Sequence, residues 1–92
     1  MRIAFIGGGN MATALISSLF ASRHNVDRIH VADPGAEARK RLQRRWPVHC
    51  FDNAADAIKG MEAIVLAVKP QVLPIVLDEI GSLVTSDQLL IS

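Results

Sequence analysis

A chain of 92 residues, half of them hydrophobic, with 10 basic and 9 acidic side chains, fits one soluble globular unit of net charge +1. That balance argues against nucleic acid or an anionic membrane as partner, and three Phe and one Trp leave few platforms for stacking bases. The single cysteine, Cys50, excludes an internal disulfide, and with no CxxC or Cys/His cluster it implies a reducing compartment, the cytosol, and no structural metal. No apolar run approaches the roughly 18 residues of a membrane span. A domain this small buries only about 60–65% of the surface its unfolded chain exposes, so a partner domain is expected.

In chain order, Ile3-Ala4-Phe5-Ile6 is a short continuous apolar run stopped by glycines, the pattern of a strand buried on both faces. From Asn10 the spacing becomes helical, with Met11, Leu15 and Leu19 on one side and Ala12, Ile16 and Phe20 beside them. Arg28 to Ala32 reads as a second strand, closed by the turn Asp33-Pro34-Gly35. A second helix is predicted to about Arg45, with Ala38, Leu42 and Trp46 on its apolar side and a basic run on its solvated side.

Val48-His49-Cys50 is a candidate third strand, followed by a small helix after Asp52-Asn53 that runs to about Lys59 and stops at Gly60. Ala63 to Val68 lacks polar alternation and is predicted to be a central parallel strand. A helix over Leu73 to Ile80 carries Pro74 in its first turn and is expected to bury Leu73, Val76, Leu77 and Ile80. Gln88 to Ile91 is the fifth strand. Alternating strands and helices imply crossover connections in a parallel sheet. The fold class is therefore α/β, a Rossmann-type doubly wound sheet of about five strands within a single domain, residues 1–92.

Gly7-Gly8-Gly9-Asn10-Met11-Ala12 matches G-x-G-x-x-A, a weak signal by itself. Its setting makes it specific: it follows a strand, opens a helix, and precedes by 21 residues an acid, Asp33, at the end of the next strand. In this pattern Gly7 permits the turn, Gly9 lets the backbone approach a pyrophosphate, and Ala12 lets helix and strand pack closely, while the helix N-terminus faces the phosphates. The cofactor class is NADP or NAD. Asp33 favours NAD, because a 2′-phosphate would meet its charge, although it is equally a turn aspartate; Arg39 and Lys40 offer cations that would permit NADP.

Asn53 has a structural role available as a helix cap, with Asp56 three residues on, and Lys69 one as a solvated strand end. Both nevertheless fall at strand carboxyl ends, where parallel sheets bind ligands. His24, His30 and His49 have no ligand spacing and read as surface or strand residues. Neither a triad nor a carboxylate pair can be assembled, so no catalytic residue is assigned.

The run Phe5-Ile6-Gly7-Gly8-Gly9-Asn10-Met11-Ala12, joined to Ala67-Val68-Lys69-Pro70-Gln71-Val72-Leu73 and Leu77-Asp78-Glu79-Ile80-Gly81, resembles the amino-terminal domain of the pyrroline-5-carboxylate reductases over all 92 residues. The resemblance implies reduction of the cyclic imine 1-pyrroline-5-carboxylate to proline by NADPH or NADH, in proline biosynthesis. It implies that Ile6, Gly7, Gly8, Gly9, Asn10 and Met11 line the pyrophosphate and that Asp33 lies at the adenosine ribose. Asn53 would contact the adenosine side, and Ala67, Val68, Lys69 and Pro70 the nicotinamide half. Asp33 departs from the Ser, Thr or Asn-Arg common there, and so from the family's usual NADP preference. The resemblance further implies a helical carboxy-terminal domain that holds the small-molecule imine substrate and forms a homo-oligomer; the end at Ser92 is read as a truncation before it. Two other readings stay open: the cofactor domain of a 3-hydroxyacid or prephenate dehydrogenase, or a non-enzymatic NAD(H)-sensing module.

Overall fold

A computed structural model describes residues 1–22 and 28–92. His24 lies outside the described residues. Among the described residues nine elements follow in order: β1 (Arg2–Ile6), α1 (Asn10–Ala21), β2 (Arg28–Ala32), α2 (Ala36–Arg45), β3 (His49–Phe51), α3 (Ala54–Ala57), β4 (Ala63–Leu66), α4 (Leu73–Ile80) and β5 (Leu89–Ile91). The strands form one sheet in the order β3-β2-β1-β4-β5, every neighbouring pair parallel. The α/β doubly wound sheet expected from the sequence is therefore present.

The period-2 alternation of strands sends adjacent side chains to opposite faces, and both faces are covered. Ile3 and Phe5 of β1 pack with Ile29 and Val31 of β2 against Ala12 and Ile16 of α1 and Leu42 of α2. Ala4 and Ile6 pack with Ile64 and Leu66 of β4 against Ala54 and Ala57 of α3 and Val76 and Ile80 of α4. Helices α1 and α2 thus cover one face and α3 and α4 the other. That two-sided burial is why β1 and β4 read as unbroken apolar runs.

Several local expectations differ. β4 ends at Leu66 rather than Val68: Ala67 still donates its N–H to Ile6 carbonyl oxygen at 2.8 Å, but the chain then leaves the ladder. α3 is a single turn ending at Ala57, and Gly60, at φ +74°, turns the chain towards β4. On α4, Leu77 is exposed while Val76 and Ile80 are buried, and on α1 Met11, Leu15 and Phe20 are exposed. A helix packed on a sheet by one narrow stripe buries fewer positions than its apolar pattern offers. His30 is a buried strand residue whose Nδ1–H donates to the Ala57 carbonyl at 2.8 Å. Exposed Phe20 stacks on half-buried Trp46, with centroids 6.2 Å apart, and Arg45 lies 4.2 Å from the Trp46 ring.

Candidate functional site

Between β1 and β4 the strand order reverses direction, and the helices that follow these two strands go to opposite faces. The connections that leave the two paired strands therefore diverge to opposite faces, and an open α/β sheet binds ligands in the crevice this leaves. A cleft of about 440 Å³ opens there. Its walls include Ile6, Gly7, Gly8 and Gly9 after β1, Asp33 after β2, Asn53 before α3, and Ala67, Val68 and Lys69 after β4. Nine of the residues singled out in the sequence thus border one space. Asn10, Met11, Ala12 and Pro70 do not line it; Ala12 is fully buried, which is its packing role between helix and sheet.

The glycine turn is shaped by contacts on each side. Gly7 donates its N–H to the Ala32 carbonyl at 2.7 Å and stands at φ +104°, and a Cβ there would collide with the carbonyl oxygen of Ala67. A side chain is thus excluded both by backbone angle and by the approach of the β4 exit. Gly8 is buried and donates its N–H to Asp33 Oδ2 at 2.8 Å. At Gly9 an added Cβ would meet nothing within 4 Å, so this glycine answers to no protein neighbour. Helix α1 opens at Gly9 without a side-chain cap and with no acidic residue in its first turn. Its free N–H groups and positive dipole end suit an anion.

Asp33 is half-buried; besides Gly8, its Oδ1 accepts the Gly35 N–H at 2.7 Å. Arg39 donates from Nη1 to the Asp33 carbonyl at 2.7 Å, and Arg41 from Nη2 to the Gly8 carbonyl at 3.4 Å. Asn53 caps α3: its Oδ1 accepts the Asp56 N–H at 2.8 Å, while its Nδ2 donates to Asp52 Oδ1 at 2.8 Å and Asp56 Oδ2 at 3.0 Å. The Asn53 bond and the neighbouring Lys59 hold the Asp56 carboxyl below its ordinary range.

The sequence did not single out the α4 wall. Val72, Ile75 and Val76 supply an apolar side, and Glu79 reaches across to accept the N–H of Ala54 at 3.1 Å and of Ala55 at 3.3 Å. Val72 and Glu79 stood within the runs that carry the family resemblance, but nothing in the sequence assigned them to a site, and the Glu79 contact spans 25 residues. Among the described lining residues three are acidic, Asp33, Asp52 and Glu79, and one is basic, Lys69.

Outside the cleft, burial pushes the Cys50 thiol up, which makes it a poor nucleophile. Among the described residues no group of three or more His, Cys, Asp or Glu is placed to hold a metal, and no helix is long and apolar enough to cross a membrane.

A parallel sheet in 3-2-1-4-5 order, with a glycine turn opening its first helix at the crevice, defines a Rossmann-type α/β domain. The chain belongs to the family described as NADP oxidoreductase coenzyme F420-dependent, whose model matches residues 2–92. It is 36% identical over 91 residues to a pyrroline-5-carboxylate reductase of Pseudomonas aeruginosa, covering 99% of this chain and 33% of that relative. To the reductase of that name from Haemophilus influenzae it is 41% identical over 90 residues, covering 98% and 33%. A solved pyrroline-5-carboxylate reductase from Coxiella burnetii superposes with a TM-score of 0.84 at 28% identity, covering 91% of this chain and 31% of that one. The pyrroline carboxylate reductase of Plasmodium falciparum, solved with NADP bound, shares the fold at a TM-score of 0.77 and 22% identity, over 98% and 32%. The chain spans about a third of the length of the curated relatives it matches.

Proposed function

We propose that this chain is the dinucleotide-binding domain of an NAD(P)H-dependent pyrroline-5-carboxylate reductase, with the substrate half supplied by the region of its relatives that it does not span. The observation that carries this reading is the meeting of the Gly7–Gly9 turn and the Ala67–Lys69 exit across one crevice, in a chain whose relatives bear that enzyme's name. The domain assignment, residues 1–92 as the nucleotide half of a larger enzyme, is part of the same proposal.

In this reading the pyrophosphate lies over Gly7 to Gly9 and the start of α1 at Asn10, Met11 and Ala12, where backbone N–H groups and the helix dipole offset its charge. Asp33 receives the adenosine ribose, and Asn53 and its neighbours form the floor on the adenosine side. Ala67, Val68, Lys69 and Pro70 border the nicotinamide half, with Val72 and Ile75 excluding water beside it. The cofactor, when bound, supplies the hydride that reduces the imine carbon. This chain's part is positioning: it fixes one reactant so that the other half of the enzyme presents the imine to it. A small-molecule imine is then the partner, no nucleic-acid role arises at net charge +1, and homo-oligomeric assembly and a cytosolic setting follow the enzyme class.

Two measurements test the proposal. Fluorescence titration of the chain with NADH and NADPH is expected to show binding, and an absorbance assay with 1-pyrroline-5-carboxylate no turnover; imine reduction by the chain alone overturns the division into halves. Placed in the Pseudomonas aeruginosa reductase instead of that enzyme's matching third, the chain is expected to sustain imine-dependent oxidation of reduced cofactor. A folded chimera that binds nucleotide but leaves the imine untouched overturns the reductase reading.

A further inference from the structure

Resting on the dinucleotide reading above, we propose that Asp33 is a locked selector that makes this domain prefer NADH to NADPH, against the NADP named for its family. Both oxygens of the Asp33 carboxylate accept backbone N–H groups from different loops, Gly8 at 2.8 Å and Gly35 at 2.7 Å. Turning the side chain aside to admit a 2′-phosphate would break two charge-assisted hydrogen bonds at a half-buried site. The carboxylate therefore stays where it borders the cleft. Its remaining lone pairs can accept a ribose hydroxyl, whereas a 2′-phosphate brings a charge of about −1.5 to −2 against it.

Two of the cations near this site are engaged by backbone carbonyls, while Lys40, the other that the sequence offers, is exposed on α2. Arg39 donates to the carbonyl of Asp33 itself at 2.7 Å, and Arg41 reaches the carbonyl of Gly8 at 3.4 Å. Lys69, the basic residue among the described lining, follows β4, two strands from β2 in the sheet. The arrangement joins two roles in one group, since the carboxylate that repels a 2′-phosphate also holds the N–H of the glycine turn. Charge and the Gly8 contact can be separated by substitution: Asp33→Asn keeps one oxygen for the Gly8 N–H, without the charge and at the loss of the acceptor for the Gly35 N–H, and Asp33→Ala removes charge and both acceptors.

The test is calorimetric titration of the protein and both variants with NADH and with NADPH, folding being checked by far-ultraviolet circular dichroism. The unsubstituted protein is expected to bind NADH at least about tenfold more tightly than NADPH. Asp33→Asn is expected to narrow that ratio while NADH affinity falls less than about tenfold, and Asp33→Ala to weaken both nucleotides by about ten- to a hundredfold. Equal or tighter NADPH binding by the unsubstituted protein, or an unchanged ratio in Asp33→Asn, overturns the selector. A folded Asp33→Ala variant with undiminished NADH affinity overturns the lock, and if that variant does not fold the Asn variant decides alone. Binding of neither nucleotide by the unsubstituted protein overturns the dinucleotide reading, and the inference with it.

Discussion

Two glycines two positions apart do different work. Gly7 is required by the protein, because its φ of +104° and the Ala67 carbonyl leave no place for a Cβ, whereas Gly9 borders open space. Gly7→Ala is expected to destabilise the domain by at least about 2 kcal/mol in urea unfolding. Gly9→Ala should cost about 1 kcal/mol or less, as an altered N-cap, yet weaken nucleotide binding by placing a methyl at the proposed pyrophosphate site. Equal stability losses for the two would refute this distinction. The need for glycine at both positions was legible in the motif, but which one answers to the fold and which to a ligand required the position of β4.

His30 carries a second residue-scale expectation. Burial, with Arg28 and His49 adding to it, lowers its pKa below 6.5, although its bond to the Ala57 carbonyl opposes the shift. The unfolded chain then takes up a proton before the folded one, so stability is fully present above about pH 6.5 and falls as the pH drops through the window beneath it. His30→Gln is expected to flatten that part of the profile of urea midpoint against pH. A slope unchanged by the substitution would assign the acid sensitivity elsewhere. Nothing in the sequence around His30 distinguished it from an exposed strand histidine; its burial comes from α3, 27 residues along the chain.

Among the elements, α3 is the one whose existence depends most on its neighbours. A helix of four residues cannot stabilise itself, since nucleation alone fixes about three residues and leaves almost none to repay it. It is held by the Asn53 cap, by Glu79 of α4 across the cleft, and by His30 beneath it. Asn53→Ala is expected to cost about 1 kcal/mol. Glu79→Ala hands the Ala54 and Ala55 N–H groups to water and should cost about 1 kcal/mol, with faster amide exchange concentrated in residues 54–57. Exchange accelerated evenly over the whole sheet would mean that Glu79 does not act through α3.

The cap at Asn53 was legible because capping is local chemistry, three residues wide. Glu79 was not, because a side chain meeting backbone 25 residues away leaves no periodic trace. The same reasoning covers the apolar positions: spacing identified α1 and α4, but only the packed sheet decides that Ile16 and Ile80 are buried while Leu15 and Leu77 are exposed. The exit of β4 at Leu66 was hidden because Ala67 and Val68 are as apolar as the strand before them. They leave the ladder where the Gly7 turn crosses beside it.

At the scale of the whole molecule, five parallel strands and two helices on each face place every strand's carboxyl end on one edge of the domain. Alternation of strand and helix was enough to expect that edge, and the order 3-2-1-4-5 determines where on it the crevice opens. The central claim is that this crevice, and no other surface, holds a dinucleotide. The direct test is to follow the backbone amides of isotopically labelled protein by nuclear magnetic resonance while NADH is added. Resonances of Gly7, Gly8, Gly9, Asp33, Asn53, Val68 and Lys69 are expected to shift together and saturate on one binding curve, leaving the outer faces of α1 and α2 and the strand β5 unmoved. Saturable shifts confined to those outer surfaces, or none at millimolar NADH in a folded sample, would contradict the assignment of the cleft.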